Sequence, residues 1–429
     1  MSLIPHPIAS SAAARPDHVA VVFVSEEGSS RLTYGELCDR VASRASDLAA
    51  EGLEQGSRVA LTGPVGIDWL VTFHAIGWLG GVVIPASARW TEDEVEKWIR
   101  IAAPDFRVAA RENENDSDGR TNGMGPRAWP LDETRWEIAT SGSSGKPTFC
   151  SLTTQQLVFS AMGSAVRLGH HLDDRWLCCL PLNHVGGLAI LMRCAWLGTT
   201  VVLHPSFSAQ AVARAMSDGS TTMVSLVPTM LNAVFESGSL ARVSDRLRVV
   251  LLGGASASED LQERATRLGV PLSVTWGMTE CGSQLTTTLP GERVPPGDVG
   301  PALPFCQVHA DADQILTVTG PVAPAMHWRS GDRGRVSAAG RVADVGRADG
   351  VIISGGENIS PQRVEMILQS HPAVKEVVVV ARSDSTWGQR PVAWMVAGDD
   401  QIPMEDEFRA WCVQRLMAHE VPMLFRWRD

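Results

Sequence analysis

A short stretch rich in glycine and hydroxyl side chains, TSGSSGK at residues 140 to 146, has the composition of an anion-binding loop. Its backbone N–H groups and the hydroxyls of Thr140, Ser141, Ser143 and Ser144 can follow a polyphosphate, and Lys146 supplies a point charge. The stretch lacks the first glycine of the G-x-x-x-x-G-K-[ST] phosphate loop, and a proline follows its lysine. It also departs from the G-x-S-x-G nucleophile elbow, although an amidase using Ser143 or Ser144 is compatible with it. A solvated glycine-serine turn is the third interpretation.

Two further stretches carry groups suited to nucleotide chemistry. In TWGMTECGSQ, residues 275 to 284, the flat Trp276 precedes the hydroxyl of Thr279 and the carboxylate of Glu280. A carboxylate beside a phosphate needs a cation between the two, and magnesium is the usual one. In SGDRG, residues 330 to 334, we expect Asp332 to lie on a turn where its carboxylate can face two vicinal ribose hydroxyls. Taken singly, each acid is also an ordinary surface residue.

The last two stretches are LPLNHVGGLAIL at residues 180 to 191 and GRADGVIISGGENISP at residues 346 to 361. The first places His184 after a strand, a position that an ordinary structural histidine also occupies. The second combines Arg347 and Asp349 with the Gly355–Gly356 pair around the edge of a strand. The order of all these stretches along one chain is more informative than any of them alone.

The composition limits the classes of partner. The chain has 429 residues, 44% of them hydrophobic, which is enough for a large core and more than one domain. It carries 37 basic and 48 acidic residues, a net charge of -11, and no basic cluster stands out. We therefore expect no nucleic-acid partner, and any phosphate must be bound by local groups.

Cysteine usage and hydropathy bear on the compartment. The eight cysteines include no C-x-x-C pair, which favours reduced thiols in a cytoplasmic protein. The N-terminal stretch has no basic segment, and WLVTFHAIGWLGGVVIPASA is interrupted by His74 and flanked by Asp68. We expect neither a signal peptide nor a membrane span. The oligomeric state stays open, a homo-oligomer included.

Strand-like apolar runs alternate with helix-like segments in the first two thirds of the chain, which predicts an α/β fold with parallel sheets. The strand candidates are RVALTG, GVVIPA, TTVVLH, TTMVSLVP, LRVVLLGG and PLSVTW, and the helix candidates include QQLVFSAMGSAVRLG and AQAVARAMSDG. We predict a large N-terminal domain of flanked β-sheets over residues 1–345, in which residues 291–345 form a small β-barrel. A hinge at residues 346–349 and a small, mobile α+β domain at residues 350–429 follow.

Local signals divide the small domain further. Ser360 is the expected N-cap of a helix that has Pro361 in its first turn. Strands are expected at VIISGG, EVVVVARS and PVAWMVAG, and a final helix from Glu405 to Ala418. The polar stretch RENENDSDGRTNGMGPRAWP is expected to be a surface loop before the glycine-rich motif.

The order of these motifs resembles that of the adenylate-forming acyl-CoA synthetases over nearly the whole chain. Within that superfamily the chain looks most similar to the o-succinylbenzoate-CoA ligases of menaquinone biosynthesis. The similarity rests on SAMGSAVRLGHHLDDRWLCCLPLNHVGGLAILMR, VLLGGASAS and DGVIISGGENISP. The resemblance implies a ligase that uses ATP, magnesium and coenzyme A to convert a small carboxylic acid, through an acyl-adenylate, into its thioester.

The resemblance also implies roles for residues of this chain. Lys146, Glu280 and His184 would be the catalytic residues, with Glu280 as the magnesium ligand. The ATP and AMP site would comprise Thr140, Ser141, Gly142, Ser143, Ser144, Gly145, Gly253, Gly254, Ala255, Trp276, Gly277, Met278, Thr279, Asp332 and Arg347. Trp276 would lie against the adenine ring, where relatives usually carry tyrosine, and Asp332 and Arg347 would bind the ribose.

The remaining implied roles concern coenzyme A and the acid. Gly355 and Gly356 would flank the pantetheine tunnel, and Asp349 would be the hinge about which the small domain rotates between the two half-reactions. His184 would lie near the acyl pocket and the path of the thiol, and Ser283 would contact the acid.

The chain departs from the resemblance in two places. Relatives carry a lysine near the C-terminus, in a Gly-Lys segment, that reaches the acid and the α-phosphate, whereas this sequence ends at VPMLFRWRD. Either the natural chain continues beyond this sequence, or the protein lacks this charge. Loss of one such electrostatic donor lowers a rate roughly 100- to 1,000-fold, so in the second case we expect slow adenylation and intact thioester formation from supplied acyl-adenylate. Thr148 and Phe149 also stand where relatives often have lysine and glycine, which weakens the expected grip on the triphosphate.

Three alternatives remain open at the level of sequence. A ligase for another aryl or fatty acid shares every nucleotide motif, since the shape of the acyl pocket selects the acid. A degenerate nucleotide-binding or scaffold protein is compatible with the absent lysine, although Glu280, Asp332 and Arg347 argue against it. The amidase has no support outside the serine-rich stretch.

Overall fold

A computed structural model describes residues 2–26, 28–110, 125–141, 147–255, 257–295, 297–348, 350–398 and 402–428. Its helices are α1 Pro7–Ala14, α2 Tyr34–Ala50, α3 Ile67–Trp78, α4 Glu92–Ala102, α5 Thr154–Leu168, α6 Val185–Leu197, α7 Ala209–Asp218, α8 Pro228–Glu236, α9 Glu259–Arg267, α10 Pro361–Gln369 and α11 Glu405–Val413. Single 3-10 turns lie at Thr279–Cys281 and Pro324–Met326.

The strands follow in chain order. Those of the first half are β1 Leu3–Ile4, β2 Val19–Ser25, β3 Gly28–Thr33, β4 Arg58–Thr62, β5 Val82–Pro85, β6 Phe106–Ala109, β7 Trp129–Pro130, β8 Thr134–Ser141, β9 Pro147–Thr153, β10 Arg175–Cys178 and β11 Thr200–Leu203. Those of the second half are β12 Met223–Leu226, β13 Val249–Leu252, β14 Leu272–Met278, β15 Ser283–Thr287, β16 Asp298–Pro301, β17 Gln307–Ala310, β18 Ile315–Thr319, β19 His327–Val336, β20 Arg341–Arg347, β21 Ile352–Ser354, β22 Glu357–Ile359, β23 Val374–Asp384, β24 Gly388–Ala397 and β25 Leu424–Arg428.

The largest sheet has eight strands in the order β15-β14-β13-β12-β10-β11-β2-β3. The six strands from β14 to β2 run parallel, and β15 and β3 add antiparallel edges. Every residue of β11, β12 and β13 is buried, as expected for parallel strands covered by helices on both faces. The predicted alternation of strands and helices, and the α/β fold class, are confirmed.

A second sheet, in the order β6-β4-β5-β8-β9, shares one hydrophobic core with the first. Helix α3 contributes to that core, and its residues 69 to 78 are all buried, which explains why its sequence is apolar almost all round. The β8–β9 hairpin at the edge of this sheet flanks the glycine-rich stretch. Trp129 and Pro130, predicted to lie in a surface loop, instead form β7 and pair with β1.

Two histidines are buried where the N-terminal segment packs on α3. His6 contacts the rings of His74, Trp78 and Trp129 at centroid distances of 6.1, 5.1 and 5.2 Å. Burial lowers the pKa of both histidines, to about 3 for His74, and the nearby charge of Arg135 lowers that of His6 further. Both are therefore neutral in the folded protein at pH 7.

Because His6 and His74 are buried in the neutral form, we predict that the folded protein loses stability in mild acid. The unfolded chain binds protons at these histidines near pH 6.5, whereas the folded chain does not, so stability is complete above that pH and falls below it. We expect a loss of about 1 kcal/mol per pH unit for each histidine below pH 6. Denaturant unfolding at pH 7.5 and 5.5 measures it: His74→Gln should weaken the pH dependence, and the exposed control His309→Gln should not. Equal dependence in all three proteins would contradict the prediction.

Residues 298 to 347 form a five-stranded antiparallel sheet in the order β16-β20-β19-β18-β17. Among the described residues the two end strands of this sheet are not paired with each other, so the barrel is unconfirmed and the observed unit is a meander with one additional edge strand. Its inner face packs on Trp276, Cys281 and Leu285 of the β14–β15 region. This packing places the small sheet beside the carboxyl end of β14.

The C-terminal domain contains the sheet β22-β21-β24-β23, with β25 added along β24. The predicted cap is confirmed, because the Ser360 hydroxyl accepts a hydrogen bond from the backbone N–H of Arg363 and Pro361 opens α10. Strands β22 and β25 were not predicted, and α11 ends at Val413 rather than Ala418. Within the described ranges, no helix combines the length and apolar character required to cross a bilayer.

Candidate active site

Four neighbouring parallel strands end on the same side of the large sheet. After β10 comes the segment leading to His184, after β12 comes Val227, after β13 comes Gly253, and β14 ends in the stretch containing Trp276. In open parallel sheets, ligands bind in the crevice outside these carboxyl ends. The fold thus gathers motifs that are up to 92 residues apart at one edge.

Strands β8 and β9, which precede and follow the glycine-rich stretch in the sequence, lie beside this edge. Residues 142 to 146, and with them Lys146, lie outside the described residues, whereas Thr140 lies in β8 and its hydroxyl is 3.0 Å from that of Thr148. Strand β9 lies against the Thr279–Cys281 turn. Burial raises the pKa of the Cys150 thiol to about 12, and the nearby Glu280 carboxylate contributes to the rise. Glu280 is therefore adjacent to the strand that leaves the glycine-rich stretch.

Helix α5 holds the turn that carries Thr279 and Glu280. Gln156 Nε2 donates to the Glu280 carbonyl oxygen at 2.7 Å, and the Ser160 hydroxyl donates to the Gly282 carbonyl oxygen at 2.8 Å. The backbone bends sharply here: Gly282 and Ser283 both have positive φ, of 71° and 105°. The turn and its carboxylate are thus fixed by hydrogen bonds from a neighbouring helix.

The close crossing of β14 and β15 requires the glycine after Trp276. A Cβ at Gly277 would lie 1.8 Å from the Ser283 carbonyl oxygen, which no side chain tolerates. A register shift between Trp276 and Gly277 accompanies this approach. Met278, which follows, is partly buried against the core of the antiparallel sheet. Ser283 therefore lies directly beside the Trp276–Thr279 segment.

Trp276, Asp332 and Arg347 form a connected group. The Trp276 indole Nε1 donates to Asp332 Oδ2 at 2.9 Å, and Arg347 Nη1 is 3.3 Å from Asp332 Oδ1. The predicted turn around Asp332 is wrong: the residue lies inside β19 and pairs directly with Arg347 of β20. Gly331 leaves room for this arginine, because a Cβ there would lie 2.8 Å from Arg347 Nη2 and would push the guanidinium aside.

The glycine pairs of the two domains meet at Val227. A Cβ at Gly254 would lie 3.1 Å from Val227 Cγ1, and a Cβ at Gly356 would lie 3.2 Å from the same atom. A Cβ at Gly253 would meet the Thr275 methyl at 2.7 Å. All four of Gly253, Gly254, Gly355 and Gly356 therefore lie at the joint between the large sheet and the C-terminal domain, with Ala255 following in the same loop.

A side-chain contact crosses the same joint. His184, the N-cap residue of α6, places Nε2 3.4 Å from Glu357 Oε1 of β22. The hydrogen bond with His184 lowers the pKa of the Glu357 carboxyl most, and the charges of His419 and Arg89 add to that effect. Asp349, the predicted hinge, lies outside the described residues.

Arg193 is a functional candidate that the motif analysis missed. It is 2% exposed on α6, and its Nε and Nη2 have no hydrogen-bond partner among the described residues. Burial lowers its pKa to about 10, so it stays charged at neutral pH. The cavity it faces is lined by Trp136, Leu157, Ser160, Ala161, Ala189, Met192 and Gly282. The guanidinium lies 5.5 Å from the centroid of the Trp176 ring, but this contact leaves two of its N–H nitrogens without hydrogen-bond partners in the described structure. Burying such a charge is costly, so Arg193 is a candidate contact for an anionic ligand group.

Trp387 is a second such residue. Its ring packs against Gly355, where a Cβ would lie only 2.6 Å from Cε3, and its carbonyl oxygen accepts from the Gly355 N–H at 3.0 Å. The side chain is nonetheless 43% exposed, and the Arg390 guanidinium lies 5.9 Å from the ring centroid. A flat exposed ring and a cation thus border the glycine pair.

Comparisons with known proteins agree with this geometry. The 2-succinylbenzoate–CoA ligase of Bacillus mycoides (strain KBAB4) is 30% identical over 461 residues, covering 98% of this chain and 94% of that protein. Two solved structures of Bacillus subtilis o-succinylbenzoate CoA synthetase cover the whole chain and 95% of theirs. A double mutant with its product analogue OSB-NCoA gives a TM-score of 0.88 at 28% identity, and the complex with the acyl-adenylate OSB-AMP gives 0.74 at 27%.

Family models match both parts of the chain. The model described as AMP-binding enzyme matches residues 8–123 and 108–314, and the one described as AMP-binding enzyme C-terminal domain matches residues 363–427. Together with the relatives and solved structures above, these matches confirm the resemblance inferred from sequence. The chain belongs to the AMP-binding enzyme family.

Proposed function

We propose that this protein is an ATP-dependent ligase that joins 2-succinylbenzoate to coenzyme A through an acyl-adenylate. The observation that carries the choice of acid is Arg193, charged, buried and without a partner for two of its nitrogens among the described residues. 2-Succinylbenzoate is a dicarboxylate, so one carboxylate remains anionic while the other is activated. Benzoate and fatty acids lack that second charge, and a cavity containing Arg193 suits them poorly.

In the first half-reaction, an oxygen of the substrate carboxylate attacks the α-phosphorus of ATP, and the bond to the β-phosphate breaks with release of pyrophosphate. Both reactants are anionic, so the site must supply positive charge. Lys146 and the 140–145 stretch would hold the β- and γ-phosphates. Asp332 and Arg347 would hold the ribose, and Trp276 with Gly253 to Ala255 would border the adenine.

Glu280 fits the role of magnesium ligand. Its carboxylate is partly exposed, adjoins the Thr279 hydroxyl, and makes no ion pair with any residue of the described chain. Hard divalent cations take such oxygen ligands together with substrate phosphates. When bound, the ion would neutralise charge on the phosphates, while Gln156 and Ser160 keep the Glu280 turn in place.

In the second half-reaction, the sulfur of coenzyme A attacks the acyl carbonyl carbon and AMP leaves with the electron pair of the broken bond. The higher TM-score to the product-analogue complex than to the acyl-adenylate complex supports a domain arrangement suited to this step. The contacts of Gly356 with Val227 and of Glu357 with His184 belong to this arrangement. Gly355 and Gly356 would border the thiol's path, with Trp387 and Arg390 at its mouth.

Adenylation would then use another orientation of the small domain, reached by rotation about Asp349. The division at residues 345 to 350 and the mobility of the domain are part of this proposal.

The contact between His184 and Glu357 gives a prediction for the second half-reaction. Glu357→Gln keeps the size of the side chain and removes its charge, so the arrangement seen here should be less populated. We expect the rate of thioester formation from supplied acyl-adenylate and coenzyme A to fall roughly 3- to 10-fold, because a half-exposed pair contributes modestly. Rapid-quench assays measure it, and pyrophosphate release should be unchanged. Glu365→Gln, also on the C-terminal domain, is the control; equal rates in both variants would contradict the prediction.

Mass spectrometry of the thioester product tests the proposed function. The protein is incubated with ATP, magnesium, coenzyme A and either 2-succinylbenzoate, benzoate or octanoate. We expect the 2-succinylbenzoyl thioester as the main product and none without ATP. Products only from the other two acids would support the alternative ligase, no product would support a degenerate nucleotide-binding protein, and ATP-independent turnover would support the amidase. A cytoplasmic location and a homo-oligomeric state are further parts of the proposal that this assay does not address.

A further inference from the structure

The nucleotide site contains a hydrogen bond between two different sheets. Trp276 belongs to β14 of the large sheet and Asp332 to β19 of the antiparallel sheet, 56 residues later in the chain. The indole Nε1 donates to Asp332 Oδ2 at 2.9 Å, and the two residues are only 7% and 8% exposed. The bond therefore ties the position of one sheet's carboxylate to the other sheet's ring.

The chemistry of the two groups makes this bond directional. An indole N–H can only donate, and an ionised carboxylate can only accept, so no alternative arrangement of hydrogens exists. A bond to an ionised acceptor is also stronger than one between neutral groups. The terminal torsion of an aspartate is otherwise broad, so a carboxylate held at one oxygen can still rotate.

The second carboxylate oxygen and the backbone N–H of Asp332 also make polar contacts. Arg347 Nη1 lies 3.3 Å from Oδ1, so each carboxylate oxygen contacts a different donor. The backbone N–H of Asp332 donates to the Ser330 hydroxyl at 3.1 Å. With Oδ2 bound by Trp276, the plane of the carboxylate is set by two donors on opposite sides.

We infer that Trp276 is a positioning residue for Asp332, and that its indole N–H orients the carboxylate to accept from both ribose hydroxyls of ATP. The inference rests on the proposed function, in which Asp332 binds the ribose. It adds to the expected contact of the Trp276 ring with adenine, because a ring contact needs only the flat face whereas this role needs the N–H. A recognition site built on hydrogen bonds to hydroxyls rejects analogues that lack one of them.

A purely structural role makes a different prediction. If Trp276 only fills the core between the sheets, its loss lowers the stability of the protein and weakens the binding of all nucleotides equally. If Trp276 orients Asp332, its loss weakens the binding of ATP more than the binding of 2′-deoxy-ATP, because only ATP has both ribose hydroxyls. The ratio of kcat/KM for ATP to kcat/KM for 2′-deoxy-ATP therefore separates the two roles. Effects of the substitution on the ring contact and on folding are the same for both nucleotides, so they cancel in this ratio.

The test compares Trp276→Phe with Trp328→Phe, a second tryptophan that packs on the same core cluster. For each protein, kcat/KM is measured with ATP and with 2′-deoxy-ATP. In Trp276→Phe we expect the preference for ATP to fall roughly 5- to 10-fold, mainly through a higher KM for ATP, as for loss of one hydrogen bond. Trp328→Phe should keep the wild-type preference.

If Trp276→Phe prefers ATP over 2′-deoxy-ATP to within about twofold of the wild-type preference, the inference is overturned. Calorimetric binding of ATP and 2′-deoxy-ATP gives the same ratio without turnover, so it decides the matter even for a protein that makes no thioester. Absence of thioester from the wild-type protein would instead overturn the proposed function. Thermal unfolding of both variants checks that each is folded at the assay temperature.

Discussion

Arg193→Met is expected to lower kcat/KM for 2-succinylbenzoate by two to three orders of magnitude. The second carboxylate of this acid would then be buried without a partner, and leaving one member of a buried charge pair alone costs about 3 to 5 kcal/mol. Because methionine fills a similar volume, the cavity keeps its shape. Steady-state kinetics over a series of acid concentrations measures the effect.

The free protein should respond in the opposite direction. Arg193 is buried with two nitrogens lacking partners in the described structure, so its replacement by methionine should raise the temperature of unfolding. Arg167→Met is the control on the neighbouring helix α5. This arginine donates from Nη2 to the Ala302 carbonyl oxygen, although its buried Nε lacks a partner among the described residues, so its replacement should change the unfolding temperature less. Retained activity in Arg193→Met toward the dicarboxylate would contradict the assignment of the acid, whereas lower stability would point to a structural role for the arginine.

Glu280→Gln is expected to slow pyrophosphate release roughly 100- to 1,000-fold. The amide keeps the shape of the side chain but is a poorer ligand for a hard cation than a carboxylate. Thioester formation from supplied acyl-adenylate has no triphosphate to neutralise, so its rate should change little. A coupled pyrophosphate assay and a single-turnover thioester assay measure the two steps.

The contrast between the two steps is the diagnostic feature. Glu263→Gln, an exposed acid on α9, removes the same charge elsewhere and should leave both rates unchanged. Higher magnesium concentration should partly restore adenylation in Glu280→Gln if the residue binds the ion. Equal slowing of both half-reactions would indicate instead that Glu280 supports the turn rather than the metal.

Local sequence patterns were sufficient to predict most of the strands and helices of the large domain. Strands β11 to β14 are short apolar runs separated by helix-like segments, and parallel strands have to be buried on both faces, so their presence in a parallel sheet could be predicted. The start of α10 could likewise be predicted from local sequence, because Ser360 is a typical N-cap residue and Pro361 is typical of a first helical turn. The same local reasoning failed for Asp332, because SGDRG looks like a turn, whereas pairing with residues near Arg347 makes it a strand.

The residues missed by sequence reasoning depend on distant contacts. Glu357 is one of many acids until the C-terminal domain places it beside His184. Trp387 becomes informative only next to Gly355, 32 residues earlier in the chain. Arg193 did have a signal, a single charge within the apolar helix VGGLAILMRCAWL, but its meaning required the cavity and the missing partners. A lone charge in an otherwise apolar helix is therefore a useful sequence signal for a buried ligand site.

One isopropyl group, that of Val227, lies at both the loop proposed to border adenine and the glycine pair proposed to border the path of the thiol. Val227 Cγ1 lies against Gly254 on one side and Gly356 on the other. If the proposed roles hold, a larger residue at this position would press on both glycines, so we expect it to change the binding of ATP and of coenzyme A together. Efforts to redirect the ligase toward other thiol acceptors should therefore leave this side chain intact and alter Trp387 or Arg390 instead.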